Sequence, residues 1–514
     1  MTHKATNVTE FLLEGKDPSQ TAVMFVHEQF TYGELRSSVE RVAHAISAMG
    51  GRKGDRAVLI GENSFFWIAS YLGILRAGLV CVPLSASVSA RELDYVMHIT
   101  EAGIVFTQEK FPACEVIDPA KIRVVTNADL AAAPHAPFSS NAFPSVGPDD
   151  LAALMFTSGS TGQPRGVMVS HANIIANTES IIEYLHLTAA DRIMTVLPFY
   201  YCFGTSLLHT HLRIGGSLVV EPRFMYPETV LQRMLVTGCT GFAGVPSHFQ
   251  LLLRNSSLRR KRFPHLRYVQ QAGGHLAPSF VRELCAALPA TQVFVMYGQT
   301  EATARLSYLP PEYLPAKIGS IGRGIPGVSL RVLNDAGQDV CVGEVGEIVA
   351  RGANVTRGYW REPGETAIAF RDGALYTGDL ATVDGDGFIY IVDRAKDFIK
   401  CGGERVSCQH LEEELLAFDE LLEAAVIGAP DDVLGECVKA FVVPRLQNHH
   451  GLEERLKMFC KARMPSQFVP KQVVVLRHLP KNSAGKVLKA SLKILNRPCS
   501  STPEKLPSKS MGSS

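Results

Sequence analysis

Phe156-Thr-Ser-Gly-Ser-Thr-Gly-Gln-Pro-Arg-Gly166 carries four hydroxyls, three glycines and a guanidinium. Glycines let backbone amides approach anionic oxygens, Thr157, Ser158, Ser160 and Thr161 add hydroxyl donors, and Arg165 adds fixed positive charge, a composition suited to gripping a polyphosphate. A solvent-exposed turn is the plainer reading of the same residues. The segment is no P-loop, because the position five after Gly159 is Pro164 and the following Val167-Met-Val-Ser170 reads as a strand, leaving a short turn between two strands. At Gly485-Lys486, Val487 and Pro480 break the same motif. Gly322, Gly324 and Gly327 do spell G-x-G-x-x-G, but Pro326 interrupts them and Val328-Ser-Leu-Arg-Val-Leu333 alternates like a strand, which excludes a dinucleotide-binding fold.

Working outward, the chain has 514 residues, 46% hydrophobic and 20% charged, enough for a large and a small domain. Lys plus Arg number 51 against 50 Asp plus Glu, so no net field points to nucleic acid or an anionic membrane. Arg259-Arg-Lys-Arg262 is a local exception, either a solvated face or a docking patch for a phosphorylated thiol carrier. Eleven cysteines without a C-x-x-C pair, and an N-terminus without a charged-then-apolar signal, suit a reducing cytoplasm. The most apolar stretch, Phe65 to Leu84, contains Arg76 and Pro83 and reads as a buried helix followed by a strand, not a membrane span. His209-Thr-His211 and His449-His450 lack partners at metal-ligand spacing.

Helical periods alternate with short apolar runs through the first 250 residues: helix near Tyr32 to Met49, strand Ala57 to Ile60, helix near Glu92 to Thr100, strand Gly103 to Phe106. That pattern predicts α/β layers with mostly parallel sheets. From about Ile318 to Val392 short alternating strands with Gly turns predict an antiparallel, β-barrel-like subdomain. After Asp393-Arg394 a small α+β unit begins, read as helix, strand, strand, helix, strand, helix between Gln409 and Leu495. The expected division is residues 1–394, a lid of 395–496, and a disordered tail of 497–514 rich in Ser, Pro and Lys.

Five segments carry the chemistry together: the loop above; Met296-Tyr-Gly-Gln-Thr-Glu301; Tyr376-Thr-Gly-Asp379; Asp393-Arg-Ala-Lys396 with Ile399-Lys-Cys-Gly-Gly-Glu404; and Leu479-Pro-Lys-Asn-Ser-Ala-Gly-Lys486. In this order they resemble the AMP-forming adenylating family of acyl-CoA synthetases, peptide-synthetase adenylation domains and firefly-type luciferases, over roughly residues 8 to 495. The resemblance implies a large N-terminal domain with a mobile C-terminal lid, and a ligase that uses ATP and Mg2+ to join a carboxylate to the α-phosphate, then passes the acyl group to a thiol. Such chemistry depends on charge neutralisation and alignment more than on a protein nucleophile.

By resemblance, Thr157, Ser158, Gly159, Ser160, Thr161, Gly162 and Arg165 hold the β- and γ-phosphates. Tyr297 stacks on adenine beside Gly298, Thr300 binds the α-phosphate and Glu301 ligates magnesium; singly, Tyr297 is also readable as a packed aromatic and Glu301 as a helix-start carboxylate. Asp379 accepts the ribose hydroxyls, with Arg394 as the second ribose or phosphate contact, although an Asp after Thr-Gly is also a common turn residue. Gly273-Gly274-His275 matches the segment beside adenine, where a residue smaller than His275 is common and a plain surface histidine is the other reading. Lys486 bridges the substrate carboxylate and the α-phosphate, or is a solvated lysine like Lys481. Lys396 is the hinge about which the lid rotates, and Gly402-Gly403 then leaves room for a pantetheine arm, or forms a simple turn before a helix.

Two positions depart from the family. Pro198-Phe-Tyr-Tyr-Cys-Phe-Gly204 places Tyr201 where a histidine is usual at the acid entrance, and Arg165 replaces the loop's common lysine while keeping its charge. The segment lacks the Asp that pairs a substrate ammonium, which disfavours an α-amino acid. Phe199, Tyr200, Phe203, Phe242 and Val245 are candidates for an apolar slot suited to a fatty or aryl acid, and half of them are readable as core. CoA is the expected acceptor and a carrier-protein phosphopantetheine the alternative; a non-catalytic adenylate-binding protein is disfavoured by the presence of both Glu301 and Lys486.

Overall fold

The computed structural model describes residues 6–108, 115–118, 120–132, 143–158, 164–221, 224, 226–394, 398–401, 404–431, 434–446, 449–481 and 487–494. The alternation read from the first half folds into two sheets. In the six-stranded one, Arg123–Val125, Ile104–Thr107, Arg56–Ile60, Val80–Leu84 and Leu151–Ser158 run parallel, and Pro164–Ser170 turns back antiparallel beside the last. In the nine-stranded one, six strands from Thr21–Met24 to Gln292–Tyr297 are parallel, and both edges are finished by antiparallel strands. Strands covered on both faces read as continuous apolar runs, as Val80–Leu84 does, with every residue buried.

The Phe65–Arg76 helix shows why the apolar stretch stays inside the protein. It is buried nearly all round, with Trp67 and Tyr71 stacked in the core at 5.2 Å. Its terminal cation, Arg76, is neutralised by Glu40 at 2.9 Å and Glu10 at 2.5 Å, tying three helices together. The preceding Tyr32–Ala48 helix starts with a capping box in which Thr31 and Glu34 satisfy each other's backbone amides.

The barrel-like subdomain expected after residue 318 is a five-stranded antiparallel sheet formed by Val328–Leu333, Gly346–Gly352, Ala374–Val383, Phe370–Arg371 and Ile389–Arg394. Beyond it, a separate sheet of Phe398–Cys401, Glu404–Ser407, Leu421–Asp431, Gly435–Pro444 and Gln472–Val475 carries the helices Cys408–Leu416, Leu452–Lys461 and Lys489–Ile494. The hairpin of Phe398–Cys401 with Glu404–Ser407 was not foreseen, because a Gly pair flanked by three or four residues has no visible period. The tail assigned to residues 497–514 lies outside the described residues.

The buried histidines are core residues. His209 meets the Tyr71 hydroxyl and His211 the Tyr268 hydroxyl, each at 3.0 Å. Burial pushes His209 down to about 3, and His171 and His211 to about 4. The unfolded chain therefore takes up protons near its ordinary value of 6.5 that the folded chain refuses, so this contribution is complete above pH 6.5 and is lost as pH falls toward 4. Urea unfolding compared between about pH 7.5 and pH 5.5 is expected to lose up to about 1.4 kcal/mol per pH unit per histidine below 6.5. Unchanged or rising stability over that interval would contradict neutral burial.

Candidate active site

The parallel strands of the nine-stranded sheet end level with one another. Ala243 pairs with Thr195, Gly244 with Gln271, and Gln271 with Val295, so the chain leaves Gly241–Gly244, Tyr268–Gln271 and Gln292–Tyr297 along one carboxyl edge. That edge is where open α/β sheets place ligands. Two helices begin there, Cys202–Ile214 after Tyr201 and Pro246–Asn255 after Val245, each without a side-chain cap at its N-terminus.

The residues leaving the edge touch. Gly273 has φ +82°, and a Cβ there would lie 2.9 Å from the Val245 Cγ1 and 3.8 Å from the Tyr201 hydroxyl, which places Tyr201, Val245 and Gly273 around one space. A Cβ on Gly298 would sit 2.0 Å from the carbonyl oxygen of Ala304. The turn after Tyr297 therefore closes only on glycine, and this closure carries Thr300 and Glu301 back over the edge. Thr300 is buried with its hydroxyl 3.4 Å from the Cys202 sulfur, and burial pushes that thiol up.

The antiparallel sheet contributes the second wall. Tyr297 donates its phenol proton to the Asp379 carboxylate at 2.6 Å, while its ring packs beside the apolar groups of Ala302, Leu306 and Ile321. Tyr297 is thus a half-buried packed aromatic with its polar tip held by Asp379. Gly378 takes φ +72° just before Asp379, and Arg394 stands directly across the antiparallel pair from Asp379.

The third wall is the hydroxyl-rich hairpin. Leu151–Ser158 and Pro164–Ser170 pair with Thr157 opposite Arg165 and Ser158 opposite Pro164, a strand–turn–strand and not a strand–loop–helix. Arg165 is anchored to Glu365 at 2.8 Å and lies 5.7 Å over the Tyr359 ring. Tyr359 in turn donates to the Glu301 carboxylate at 2.8 Å. Burial and the adjacent Glu301 charge push the Tyr359 phenol far up, so it remains a donor. Tyr359 was missed at the sequence level because its partner is 58 residues away, and Gly358-Tyr-Trp360 resembles any aromatic strand. The segment runs along the hairpin, with Met168 N–H donating to Gly358 O at 2.9 Å and Trp360 N–H to Gly166 O at 2.7 Å.

A magnesium ion fits this donor set. Among the described residues no cluster of three metal-ligating side chains exists, and a single oriented carboxylate beside phosphate-binding hydroxyls is what Mg2+ uses when substrate phosphates and water complete its shell. Glu301, with one oxygen fixed by Tyr359, would hold it.

Some expected residues stand elsewhere. The His275 Nε2 is 2.6 Å from Glu413 on the Cys408–Leu416 helix, joining the large domain to the C-terminal sheet unit. Burial alone would raise the Glu413 carboxyl, but the His275 contact and its charge outweigh that and hold it below its ordinary value. Phe242 packs edge-on against Phe249 in the core with Phe280, away from Phe203 and Val245, because strand alternation turns it to the other face of the sheet. Phe199 is core beside Trp67. Of the basic run, Arg259 pairs with Glu283 and Lys261 with Glu228. Gly159, Ser160, Thr161, Gly162, Lys396, Gly402, Gly403 and Lys486 lie outside the described residues, as do the side chains of Ser158 and Arg394. Lys481 and Val487, which flank Lys486, pair in a bridge, and Leu479 and Val487 pack with Leu251 of the Pro246–Asn255 helix.

Comparison with known proteins agrees with this geometry. The AMP-binding enzyme family model matches residues 14–360, and the model of the AMP-binding enzyme C-terminal domain matches residues 410–486. Feruloyl-CoA synthase from Amycolatopsis sp is 33% identical over 480 residues, covering 93% of this chain and 96% of its own. ATP-bound MatB from Rhodopseudomonas palustris superposes with a TM-score of 0.86 at 30% identity, covering 96% of this chain and 99% of that one. The o-succinylbenzoate CoA synthetase from Bacillus subtilis, solved with its acyl-adenylate intermediate, gives a TM-score of 0.84 at 27% identity with coverages of 96% and 99%. The same synthetase has been solved with ATP and magnesium, at a TM-score of 0.84, 27% identity and coverages of 95% and 99%.

The glycine closure is directly testable. Gly298→Ala is expected to cost about 1–3 kcal/mol from overpacking against Ala304. Gly364→Ala, where an added Cβ meets nothing within 4 Å, should be neutral or stabilising. Urea unfolding of both variants checks this, and equal stability of the two would contradict the close approach.

Proposed function

The chain belongs to the AMP-binding enzyme family, and from that premise we propose how its own residues activate a carboxylic acid with ATP and hand the acyl group to CoA. The observation that carries the reading is the convergence of Tyr297–Asp379, Thr300 and the Thr157–Arg165 hairpin end from three separate parts of the chain. Asp379 and Arg394 take the ribose, Gly273 and Gly274 give adenine a flat edge, and the hairpin turn receives the outer phosphates.

In the first step a carboxylate oxygen attacks the α-phosphorus, the bond from that phosphorus to the bridging oxygen breaks, and pyrophosphate leaves with the electron pair. Both reactants are anions, so the barrier is set by charge neutralisation and alignment. Thr300 donates to the α-phosphate, and Glu301 would hold a magnesium ion that supplies counter-charge when bound. Lys486, which falls within the C-terminal domain match, bridges the acid and the α-phosphate. In the second step the thiol loses its proton and attacks the acyl carbonyl, and AMP departs. We assign the division at residues 394/395 to a lid that turns about Lys396 and brings Gly402-Gly403 alongside the pantetheine arm.

The acid is apolar near its reacting end. Tyr201, Phe203 and Val245 surround that space, and no carboxylate awaits a substrate ammonium among the residues of the Pro198–Gly204 segment. Similarity to a feruloyl-CoA synthase supports an aryl acid over a fatty one. Nine described cysteines are free thiols and, among the described residues, no helix is long and apolar enough to cross a membrane, which supports a cytoplasmic enzyme.

Pyrophosphate release over a panel of carboxylic acids, followed by thioester trapping with CoA and with holo carrier protein, tests the reading. Lys486→Ala is expected to slow adenylation by roughly 100-fold or more while largely sparing thioester formation from supplied acyl-adenylate, and Gly403→Leu should do the reverse. Equal loss of both steps in both variants would contradict two lid positions.

A further inference from the structure

Arg305 is 1% exposed, yet its Nε and Nη2 have no hydrogen-bond partner among the described residues. The side-chain contacts of its guanidinium among the described residues are neutral. The carbon of the group lies 4.0 Å over the Phe203 ring, and its remaining contact is the hydroxyl of Tyr184, which itself donates to the Met296 sulfur at 3.1 Å. An aromatic face and a phenol compensate a desolvated cation only in part, and proteins bury arginine when a counter-anion is supplied. A methionine of similar length would fill the same volume at no electrostatic cost.

The position of the group indicates where that anion comes from. Phe203 directly follows Cys202, whose sulfur meets the Thr300 hydroxyl at 3.4 Å. The Arg305 backbone packs against Gly298, where an added Cβ would lie 2.8 Å from the Arg305 Cα. The Arg305 side chain therefore lies beside Cys202 and Phe203, the first residues of the helix that follows Tyr201, next to the Cys202–Thr300 contact. The other cation of the site, Arg165 on the hairpin, is already held by Glu365 at 2.8 Å.

We infer that Arg305 receives a second carboxylate on the acid substrate, so that the enzyme selects a diacid and activates only the carboxyl group remote from Arg305. The inference rests on the acid-activating reading above and narrows it. One carboxylate is neutralised by the guanidinium and kept from reacting; the other, carried on an aryl or short alkyl spacer past Phe203, reaches the α-phosphorus. A single carboxyl–phosphorus anhydride forms per pyrophosphate released, and the paired carboxylate leaves unchanged in the product. A monoacid of the same shape leaves the cation without a partner and binds worse for that reason.

The test uses the full-length enzyme with short aryl and alkyl diacids, each paired with its mono-methyl ester, and reads kcat/KM for pyrophosphate release. The wild type is expected to favour diacids by roughly 100-fold or more. Arg305→Met should bring the diacid down to the level of its ester, leave the ester within a few-fold of its original rate, keep the KM for ATP, and unfold no more easily than the wild type. Arg305→Lys should keep part of the preference. A wild type that turns over esters as readily as diacids would overturn the inference while leaving acid activation standing, and so would an Arg305→Met variant that loses both acids alike. A wild type that releases pyrophosphate with no acid of either kind would remove the functional reading as well. If the Met variant fails to fold, the wild-type ratio of diacid to ester still decides.

Discussion

The 2.6 Å hydrogen bond from Tyr297 to Asp379 is the contact on which the rest of the site depends. It joins the carboxyl edge of the nine-stranded parallel sheet to the antiparallel sheet, and its two ends belong to strands that share no ladder. Two further parts of the cleft are positioned from those ends. Gly298 turns the chain immediately after Tyr297 and sets Thr300 and Glu301, while the ladder from Asp379 sets Arg394 across from it. Since the ring of Tyr297 is packed and only its hydroxyl is polar, the carboxylate it orients has little freedom to turn away from a ribose.

A second constraint works through charge. Glu365, Arg165, Tyr359 and Glu301 form a continuous chain from the hairpin to the carboxylate that suits magnesium. A cation and a carboxylate on opposite sides of one tyrosine are thereby held in place by the same side chain. Arg165 thus contributes by holding geometry as well as by its field, which accounts for a guanidinium with a fork of donors where a lysine's single ammonium is usual.

Much of this was legible in the residues. The hairpin at Thr157–Arg165 could be read because Pro164 forbids a helix after the loop and Val167–Ser170 alternates. The buried helix Phe65–Arg76 could be read because an apolar run interrupted by Arg76 and Pro83 suits a core and not a bilayer. What escaped were long-range contacts between residues with no local signature. Tyr359 and Arg305 look ordinary in sequence and gain meaning only from Glu301 and Phe203. The contact of His275 with Glu413, 138 residues away, likewise has no local signature. Phe242 lay in the right segment with the wrong parity, since successive strand residues face opposite sides of the sheet.

The central claim is that an organic acid is joined through its own oxygen to the innermost phosphorus of ATP in this cleft. Oxygen-18 supplied in the acid's carboxylate follows that oxygen directly by mass spectrometry. One label per turnover is expected in AMP, with pyrophosphate unlabelled and one label left in the thioester. Unlabelled AMP, or the appearance of ADP and labelled orthophosphate, would contradict the account.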